Sequence, residues 1–157
     1  MFHIALYQPE IPPNTGNIIR LCANIGGQLH LIHPLGFTVT DTKLKRAGLD
    51  YADWQAIHQY EDYPTFSKKL AGKRIFACST KGQHSYADAQ YQDEDVFLFG
   101  PETRGLPPEV LSTFPADQII RIPMCPNNRS LNLSNAAAII LYEAWRQGGF
   151  FDPGATT

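Results

Sequence analysis

The stretch that decides the fold, residues 120–147, reads Ile-Arg-Ile-Pro-Met-Cys-Pro-Asn-Asn-Arg-Ser-Leu-Asn-Leu-Ser-Asn-Ala-Ala-Ala-Ile-Ile-Leu-Tyr-Glu-Ala-Trp-Arg-Gln. It joins an apolar strand-like run that ends at Pro123, a polar loop through Arg129, and a helix predicted to begin near Ser130 and to end at Gly148. In α/β proteins, ligands bind where a strand passes through a loop into a helix. We therefore expect a ligand site at this junction.

Polar side chains crowd the start of this helix. Ser130, Asn132, Ser134 and Asn135 lie there, and their side-chain oxygens can cap free backbone amides. Four such residues are more than capping needs, so the remaining N–H groups are candidates for ligand binding. The alternative is an ordinary strand, turn and capped helix. Residues 136–142 are apolar on every face, which predicts a helix buried on all sides.

The composition argues against several classes of protein. A formal charge of −2 gives no overall attraction to nucleic acid, so RNA binding would need a local basic cluster. The cysteines, Cys22, Cys78 and Cys125, form no C-x-x-C pair, which argues against disulfides or structural zinc. The chain start lacks a basic leader, and the longest apolar run is far shorter than the roughly 20 residues that span a bilayer. We expect a cytoplasmic protein that is neither secreted nor membrane-embedded.

Strand and helix patterns alternate along the chain. Short apolar runs predict strands at residues 2–7, 28–33, 74–79, 96–99 and 118–122. Helical patterns occur at residues 17–25, 40–48, 63–70, 107–114 and 130–147. The proline-rich segment 8–13 is expected to be a rigid loop, which puts Arg20 about one turn into the first helix. The alternation predicts an α/β fold, with a mainly parallel sheet and helices on both faces, in one domain over residues 1–157.

The polar and glycine-rich segments all follow predicted strands. They are residues 14–20, 79–81, 100–105 and 124–132. Because ligands of parallel sheets bind beyond the carboxyl ends of the strands, these segments are expected to meet at one edge. The sequence contains no G-x-x-x-x-G-K-S/T, and no G-x-G-x-x-G follows the first strand, so a standard P-loop or dinucleotide site is not supported.

Three segments, in this order, resemble the motifs of a known family. They are Asn-Thr-Gly-Asn-Ile-Ile-Arg at 14–20, Phe-Gly-Pro-Glu-Thr-Arg-Gly-Leu-Pro at 99–107, and the stretch from Ile-Pro-Met to Ser-Leu-Asn-Leu-Ser-Asn at 122–135. The chain is similar to the SPOUT-class RNA 2′-O-methyltransferases, and in particular to their minimal type, which methylates the wobble ribose of leucine tRNAs. The similarity covers nearly the whole chain.

The resemblance implies features that the residue patterns alone do not. It implies a deep C-terminal trefoil knot within about residues 75–150, S-adenosyl-L-methionine as the cofactor, tRNA as the substrate, and a homodimer. By the match of motifs, the cofactor would be bound by Cys78, Thr80, Gly100, Ile122, Met124, Ser130 and Leu131. The family's catalytic and substrate positions fall on Asn14, Arg20, Glu102, Ser130 and Asn132.

Two of these positions have more than one interpretation. Arg20 would act as a general base, as relatives are described to use this arginine, or would anchor a phosphate or ribose, because a guanidinium normally stays protonated. Glu102 would hold cofactor or substrate groups, although an exposed loop glutamate without such a role is about as common. Its position beside glycines favours a functional role.

Other reactive side chains carry weaker signals. Cys78 and Cys125 have no His or acidic residue at motif spacing, so packing or backbone contact is favoured over nucleophilic catalysis. His30 and His33 lie on one predicted strand and point in different directions, so no metal site is expected.

RNA binding is assigned to basic residues outside the cofactor pocket. Lys43, Lys45 and Arg46 form the densest basic cluster of the chain, and Arg129 lies in the third motif. The alternative for the cluster is a solvated helix face.

The resemblance thus implies transfer of a methyl group from S-adenosylmethionine to the ribose 2′-hydroxyl of the wobble nucleotide of tRNA. Two other functions stay open at this point. One is 2′-O-methylation of another tRNA position or of ribosomal RNA, and the other is a non-catalytic RNA-binding module with the same fold.

Overall fold

Seven strands form one sheet in the computed structural model, which describes residues 1–38, 40–46, 48–128 and 130–152. The strands are β1 (His3–Tyr7), β2 (Gln28–Ile32), β3 (His58–Tyr60), β4 (Ile75–Cys78), β5 (His84–Ser85), β6 (Val96–Phe99) and β7 (Ile119–Arg121). Their order across the sheet is β3-β2-β1-β6-β4-β7-β5, and all described neighbours are parallel. The predicted parallel sheet is confirmed.

Helices connect these strands. They are α1 (Pro12–Ile25), α2 (Asp41–Arg46), α3 (Tyr51–Gln55), α4 (Tyr63–Lys69), α5 (Pro108–Leu111) and α6 (Leu133–Gln147). A short 3-10 helix, Ala116–Gln118, leads into β7. Within the described ranges, no helix has both the length and the apolar character needed to cross a membrane.

Side chains of the central strands alternate between two hydrophobic clusters, one on each face of the sheet. In β6, Phe97 and Phe99 join the cluster that contains residues of α1 and α6, whereas Val96 and Leu98 join the cluster that contains Phe66 of α4. This alternation follows from the two-residue period of a strand that is buried on both faces. Full burial of a side chain such as Phe97 contributes roughly 1.5–3 kcal/mol. Helices therefore cover both faces, as predicted.

The first helix begins earlier than predicted. α1 starts at Pro12, so the end of the segment expected to be loop forms its first turn. Proline is tolerated there because the first N–H groups of a helix have no partner within the helix, and because the φ of proline already suits it. The early start places Arg20 in the third turn of α1, and the predicted position one turn into the helix is wrong.

The last helix also differs from the prediction. α6 begins at Leu133 and not near Ser130, because Asn132 caps it by accepting hydrogen bonds from the amides two and three residues later. Ile140 and Leu141 are buried, but Tyr142 is 41% exposed. The expected burial on all sides is wrong for the single chain, because α6 packs on the sheet and on α1 with one side only.

Some short elements escape sequence patterns. β3 and β5 have three and two residues, which is too short for a period to appear, and two of the three residues in β3 are exposed. α5 covers residues 108–111, which is less than the predicted 107–114. The helix predicted at 63–70 is present as α4, with Asp62 as its N-cap.

A chain of hydrogen bonds between side chains crosses β1, β2 and β3. The Tyr60 hydroxyl lies 2.8 Å from His30 Nδ1, His30 Nε2 lies 2.9 Å from His3 Nδ1, and His3 Nε2 lies 2.5 Å from the Glu94 carboxylate. Because an ionised carboxylate can only accept, His3 donates to Glu94, His30 donates to His3, and Tyr60 donates to His30. Both histidines are neutral in this arrangement. Burial, reinforced by the neighbouring His3, lowers the pKa of His30 to about 3.

Acid is therefore expected to destabilise the fold through His30. The folded-state pKa lies below the unfolded value, so the stabilisation is complete above about pH 6.5 and is lost as the pH falls toward 3. Between pH 7 and pH 5 this loss is about 2 kcal/mol of unfolding free energy, measurable by urea titration at each pH. His30→Gln should remove most of this slope, and the exposed His84→Gln should keep it. An unchanged slope in His30→Gln would contradict this assignment.

Candidate active site

A cavity of about 250 Å³ opens at the carboxyl ends of β4, β6 and β7. Its walls are formed by the loops after these three strands and by residues of α6. All the residues predicted to bind cofactor line it: Cys78, Thr80, Gly100, Ile122, Met124, Ser130 and Leu131. Leu106 and Leu133 also line it and were not predicted, whereas Lys81, Thr103 and Arg104 belong to segments expected at the ligand edge. Three of the four predicted segments therefore contribute to this cavity, and residues 14–20 do not line it.

Two glycines allow backbone segments to lie against each other around the cavity. A Cβ at Gly100 would lie 2.2 Å from the amide nitrogen of Leu106, and one at Gly82 would lie 2.8 Å from the carbonyl oxygen of Ile119. Any other residue at either position would force the backbone apart. The loop after β6 is thus folded tightly on itself, and the loop after β4 packs directly on the backbone of β7.

Asn14 and Asn132 link the two long helices beside the cavity. Asn132 Nδ2 donates to Asn14 Oδ1 at 3.0 Å, across 118 residues of sequence. The same Asn132 caps α6 through its Oδ1, so both polar atoms of its amide are used. Asn14 is buried in the first turn of α1. Both residues were predicted as catalytic or substrate positions, and the structure brings them together. Neither lines the cavity, but Asn132 lies between Leu131 and Leu133, which do.

Glu102 lines the cavity, but its carboxylate is hydrogen-bonded to the protein. It accepts hydrogen bonds from the backbone amides of Glu10, at 3.0 Å, and of Ile11. These amides immediately precede α1. A carboxylate occupied by two amides has less capacity for a ligand, so the geometry favours loop positioning over the expected direct contact with cofactor or substrate.

Arg20 lies apart from the cavity wall. Its side chain is exposed on α1, and it has no hydrogen bond or ion pair with another residue that the structure describes. Its guanidinium packs against the loop after α2, since a Cβ at Gly48 would lie 2.6 Å from Arg20 Nη2. Gly48 has φ +75°, which also favours glycine. Arg20 is thus a solvent-facing cation beside the basic helix α2.

Of the residues predicted to bind RNA, Lys45 and Arg46 are exposed on α2. Their position at the end of this helix brings them near the loop that contacts Arg20. The Lys43 side chain and Arg129 lie outside the described residues, so those two predictions have no structural outcome.

Cys78 is held as a neutral thiol. Burial raises its pKa well above the ordinary value for cysteine, and its Sγ lies 3.8 Å from the carbonyl oxygen of Phe76. A protonated thiol is a poor nucleophile, which supports packing as the role of this residue. Across the part of the chain that the structure describes, no group of three or more His, Cys, Asp or Glu residues could hold a metal ion.

A parallel sheet with a ligand cavity at the carboxyl ends of its strands defines an α/β protein of the cofactor-binding kind. Comparison with known proteins defines it further. The chain belongs to the SpoU rRNA Methylase family, whose family model matches residues 1–142.

Relatives of known name or structure resemble the chain over nearly its full length. It is 58% identical to the tRNA (cytidine(34)-2'-O)-methyltransferase of Methylovorus glucosotrophus (strain SIP3-4), over 96% of this chain and 97% of the relative. A solved structure from work on the 2-OH methylation of C/U34 on tRNA has a TM-score of 0.86 and 47% identity, covering 95% of this chain and 97% of its own.

A more distant neighbour carries a cofactor. The SpoU methyltransferase AviRb from Streptomyces viridochromogenes, solved in complex with AdoMet, has a TM-score of 0.74 and 26% identity. The match covers 93% of this chain and 57% of that protein.

Gly100→Ala should deform the cavity. The added Cβ would collide with the peptide group between Gly105 and Leu106, so the loop must move into the cavity or away from it. We expect the affinity for S-adenosylmethionine, the cofactor bound by the Streptomyces relative, to fall at least about tenfold in calorimetry. Gly148→Ala is the matched control, because a Cβ there meets its neighbours no closer than 3.6 Å. Equal affinity in both variants would mean that the ligand binds elsewhere.

Proposed function

We propose that this protein transfers a methyl group from S-adenosylmethionine to the ribose 2′-oxygen of nucleotide 34 of tRNA. The observation that carries the proposal is the near full-length similarity to tRNA (cytidine(34)-2'-O)-methyltransferases, together with one cavity lined by residues of the second and third motif segments. The bound cofactor supplies an electrophilic methyl group on a positive sulfonium. The residues of the chain must bind it, orient the ribose and accept the displaced proton.

The cavity suits such a cofactor. Gly100 lets the peptide group between Gly105 and Leu106 pack against it in the cavity wall, and apolar side chains such as Ile122 and Leu131 offer a surface for an adenine ring. Backbone groups of the surrounding loops can hydrogen-bond the polar parts of the molecule. We assign Cys78, Thr80, Gly100, Ile122, Met124, Ser130 and Leu131 to this binding.

Catalysis then rests on placement of the ribose. Holding two reactants in line can contribute about 7 to 11 kcal/mol to lowering the barrier. Asn14 and Asn132 are fixed to each other at 3.0 Å, so they form a rigid pair beside Ser130. We assign these three residues to orienting the acceptor nucleotide.

Arg20 is assigned to the tRNA backbone. A solvent-facing guanidinium is well suited to a phosphate, and the exposed Lys45 and Arg46 precede Gly48, which Arg20 contacts, by two or three residues. Arg20 as general base is the competing role, and it requires loss of a proton that a guanidinium normally retains.

Further features of the family are proposed with it. The outer side of α6, with Tyr142 exposed and packed against Trp145, supports a homodimer through the helices. We further propose one domain over residues 1–157, a trefoil knot within about residues 75–150, leucine tRNAs as substrates, and a cytoplasmic location. The close backbone packing of Gly82 on residues 119–120 supports tight threading of the segments in that region.

Mapping of 2′-O-methyl groups tests the proposed function. RNA from a strain that lacks the gene should have lost the modification at nucleotide 34 of its substrate tRNAs and nowhere else. Complementation with the gene should restore it. Loss at a ribosomal RNA position would support the rRNA alternative suggested by the family's description. An unchanged methylation map would overturn the assignment.

Substitution of Arg20 separates its two roles. Arg20→Ala should slow methylation roughly 100-fold, while calorimetry with S-adenosylmethionine should change little because Arg20 lies outside the cavity wall. Arg20→Lys should keep partial activity if the residue anchors a phosphate, since lysine preserves the charge. A role that depends on the planar guanidinium predicts almost no activity in Arg20→Lys, and a base role adds a rate that rises with pH. Lys68→Ala, an exposed charge on α4, is the control. Full activity of Arg20→Ala at saturating tRNA would contradict both the anchoring role and the base role.

A further inference from the structure

Two loops at the carboxyl edge of the sheet are joined by reciprocal hydrogen bonds, because a glutamate of each loop accepts from groups of the other. Residues 8–11 connect β1 to α1, and residues 100–107 connect β6 to α5. The Glu102 carboxylate accepts the amides of Glu10 and Ile11, as described above. In return, Glu10 Oε1 accepts the amide of Thr103 at 3.0 Å and its hydroxyl at 2.7 Å. We call this pair of contacts the carboxylate clamp.

The clamp completes the hydrogen bonding at the start of α1. Ile11 occupies the N-cap position and has no side chain that could cap. Pro12 and Pro13 have no N–H, and the amide of Asn14 bonds to the Ile11 carbonyl at 3.1 Å. The Ile11 amide is the remaining donor of this end, and Glu102 accepts it. A carboxylate at this position also interacts favourably with the positive end of the helix dipole.

Glu10 is held from several sides. Gly36 packs so closely on it that a Cβ there would lie 2.9 Å from Glu10 Cα. Gln8, two residues earlier, has φ +48°, an uncommon conformation for a residue other than glycine, which turns the chain at the end of β1. Arg104 Nε lies 3.7 Å from the second Glu10 oxygen. The hydrogen bonds from Thr103, chiefly that from its amide, lower the pKa of Glu10, so its carboxylate stays ionised at neutral pH.

We propose that Glu10 is a positioning residue for methyl transfer, which holds the cavity-lining loop at Thr103 in register with the helix that carries Asn14 and Arg20. The inference rests on the proposed function. Thr103 and Glu102 line the cavity, whereas Asn14 begins the helix assigned to the acceptor nucleotide. Glu10 therefore couples the cofactor side of the reaction to its substrate side without lining the cavity itself.

The side chain at position 10 must be long enough for its oxygen to accept hydrogen bonds from both the amide and the hydroxyl of Thr103. Glutamine preserves this reach and one acceptor oxygen. Aspartate preserves the charge but is one methylene shorter, and it cannot span the gap without moving the backbone that Gly36 holds. The pair Glu10→Gln and Glu10→Asp thus tests geometry against charge, and Glu61→Gln, an exposed carboxylate elsewhere, serves as the control.

Single-turnover methylation at saturating tRNA and S-adenosylmethionine is the main measurement. We expect Glu10→Asp and Glu10→Ala to slow this step at least about tenfold and to weaken S-adenosylmethionine binding several-fold, with tRNA affinity within about twofold of the unsubstituted protein. Glu10→Gln should keep the rate within about threefold.

Amide hydrogen exchange gives a readout that does not depend on catalysis. The Thr103 amide should lose protection in Glu10→Asp and keep it in Glu10→Gln. A rate for Glu10→Asp within twofold of that of the unsubstituted protein would overturn the proposal. If Glu10→Ala does not fold, the Asp and Gln pair still decides. Failure of the unsubstituted protein to methylate tRNA would instead refute the proposed function and leave the exchange result interpretable.

Discussion

The site depends on close contact between backbones at the carboxyl ends of parallel strands. β6, β4 and β7 are neighbours in the sheet, so the loops that follow them emerge side by side. Gly100 lets the loop after β6 fold closely onto its own residues 105–106, and Gly82 lets the loop after β4 pack on the backbone of β7. The cavity between the loops therefore has walls whose shape is set by the backbone, and a pre-formed wall loses little freedom when a ligand binds.

Contacts between distant parts of the sequence then fix α1 to the loops around the cavity and to the start of α6. Asn132 reaches Asn14 across 118 residues, and Glu102 reaches Glu10, in the loop before α1, across 92 residues. Both contacts end on the first turn of α1 or just before it. The start of α1 thus connects the loops around the proposed cofactor cavity to the helix that carries the proposed substrate residues. Arg20 lies further along this helix and faces solvent.

Much of this arrangement could be predicted from sequence, for identifiable reasons. Strands such as β6 are continuous apolar runs, because a strand buried on both faces has no polar side. The cavity-lining residues follow those strands directly. The partner of the Glu102 carboxylate could not be predicted, since it depends on how two loops far apart in sequence pack. The predicted place of Arg20 within α1 was wrong, because the prolines that were expected to form a rigid loop instead form the first turn of the helix.

The central claim is that the cavity and α1 serve methyl transfer to the ribose of nucleotide 34. The most direct measurement compares two tRNA substrates that differ in one atom: a transcript with cytidine at position 34 and the same transcript with 2′-deoxycytidine there. The account predicts transfer of one methyl group per tRNA to the first and none to the second, with similar binding of both. Equal methylation of the two would contradict it.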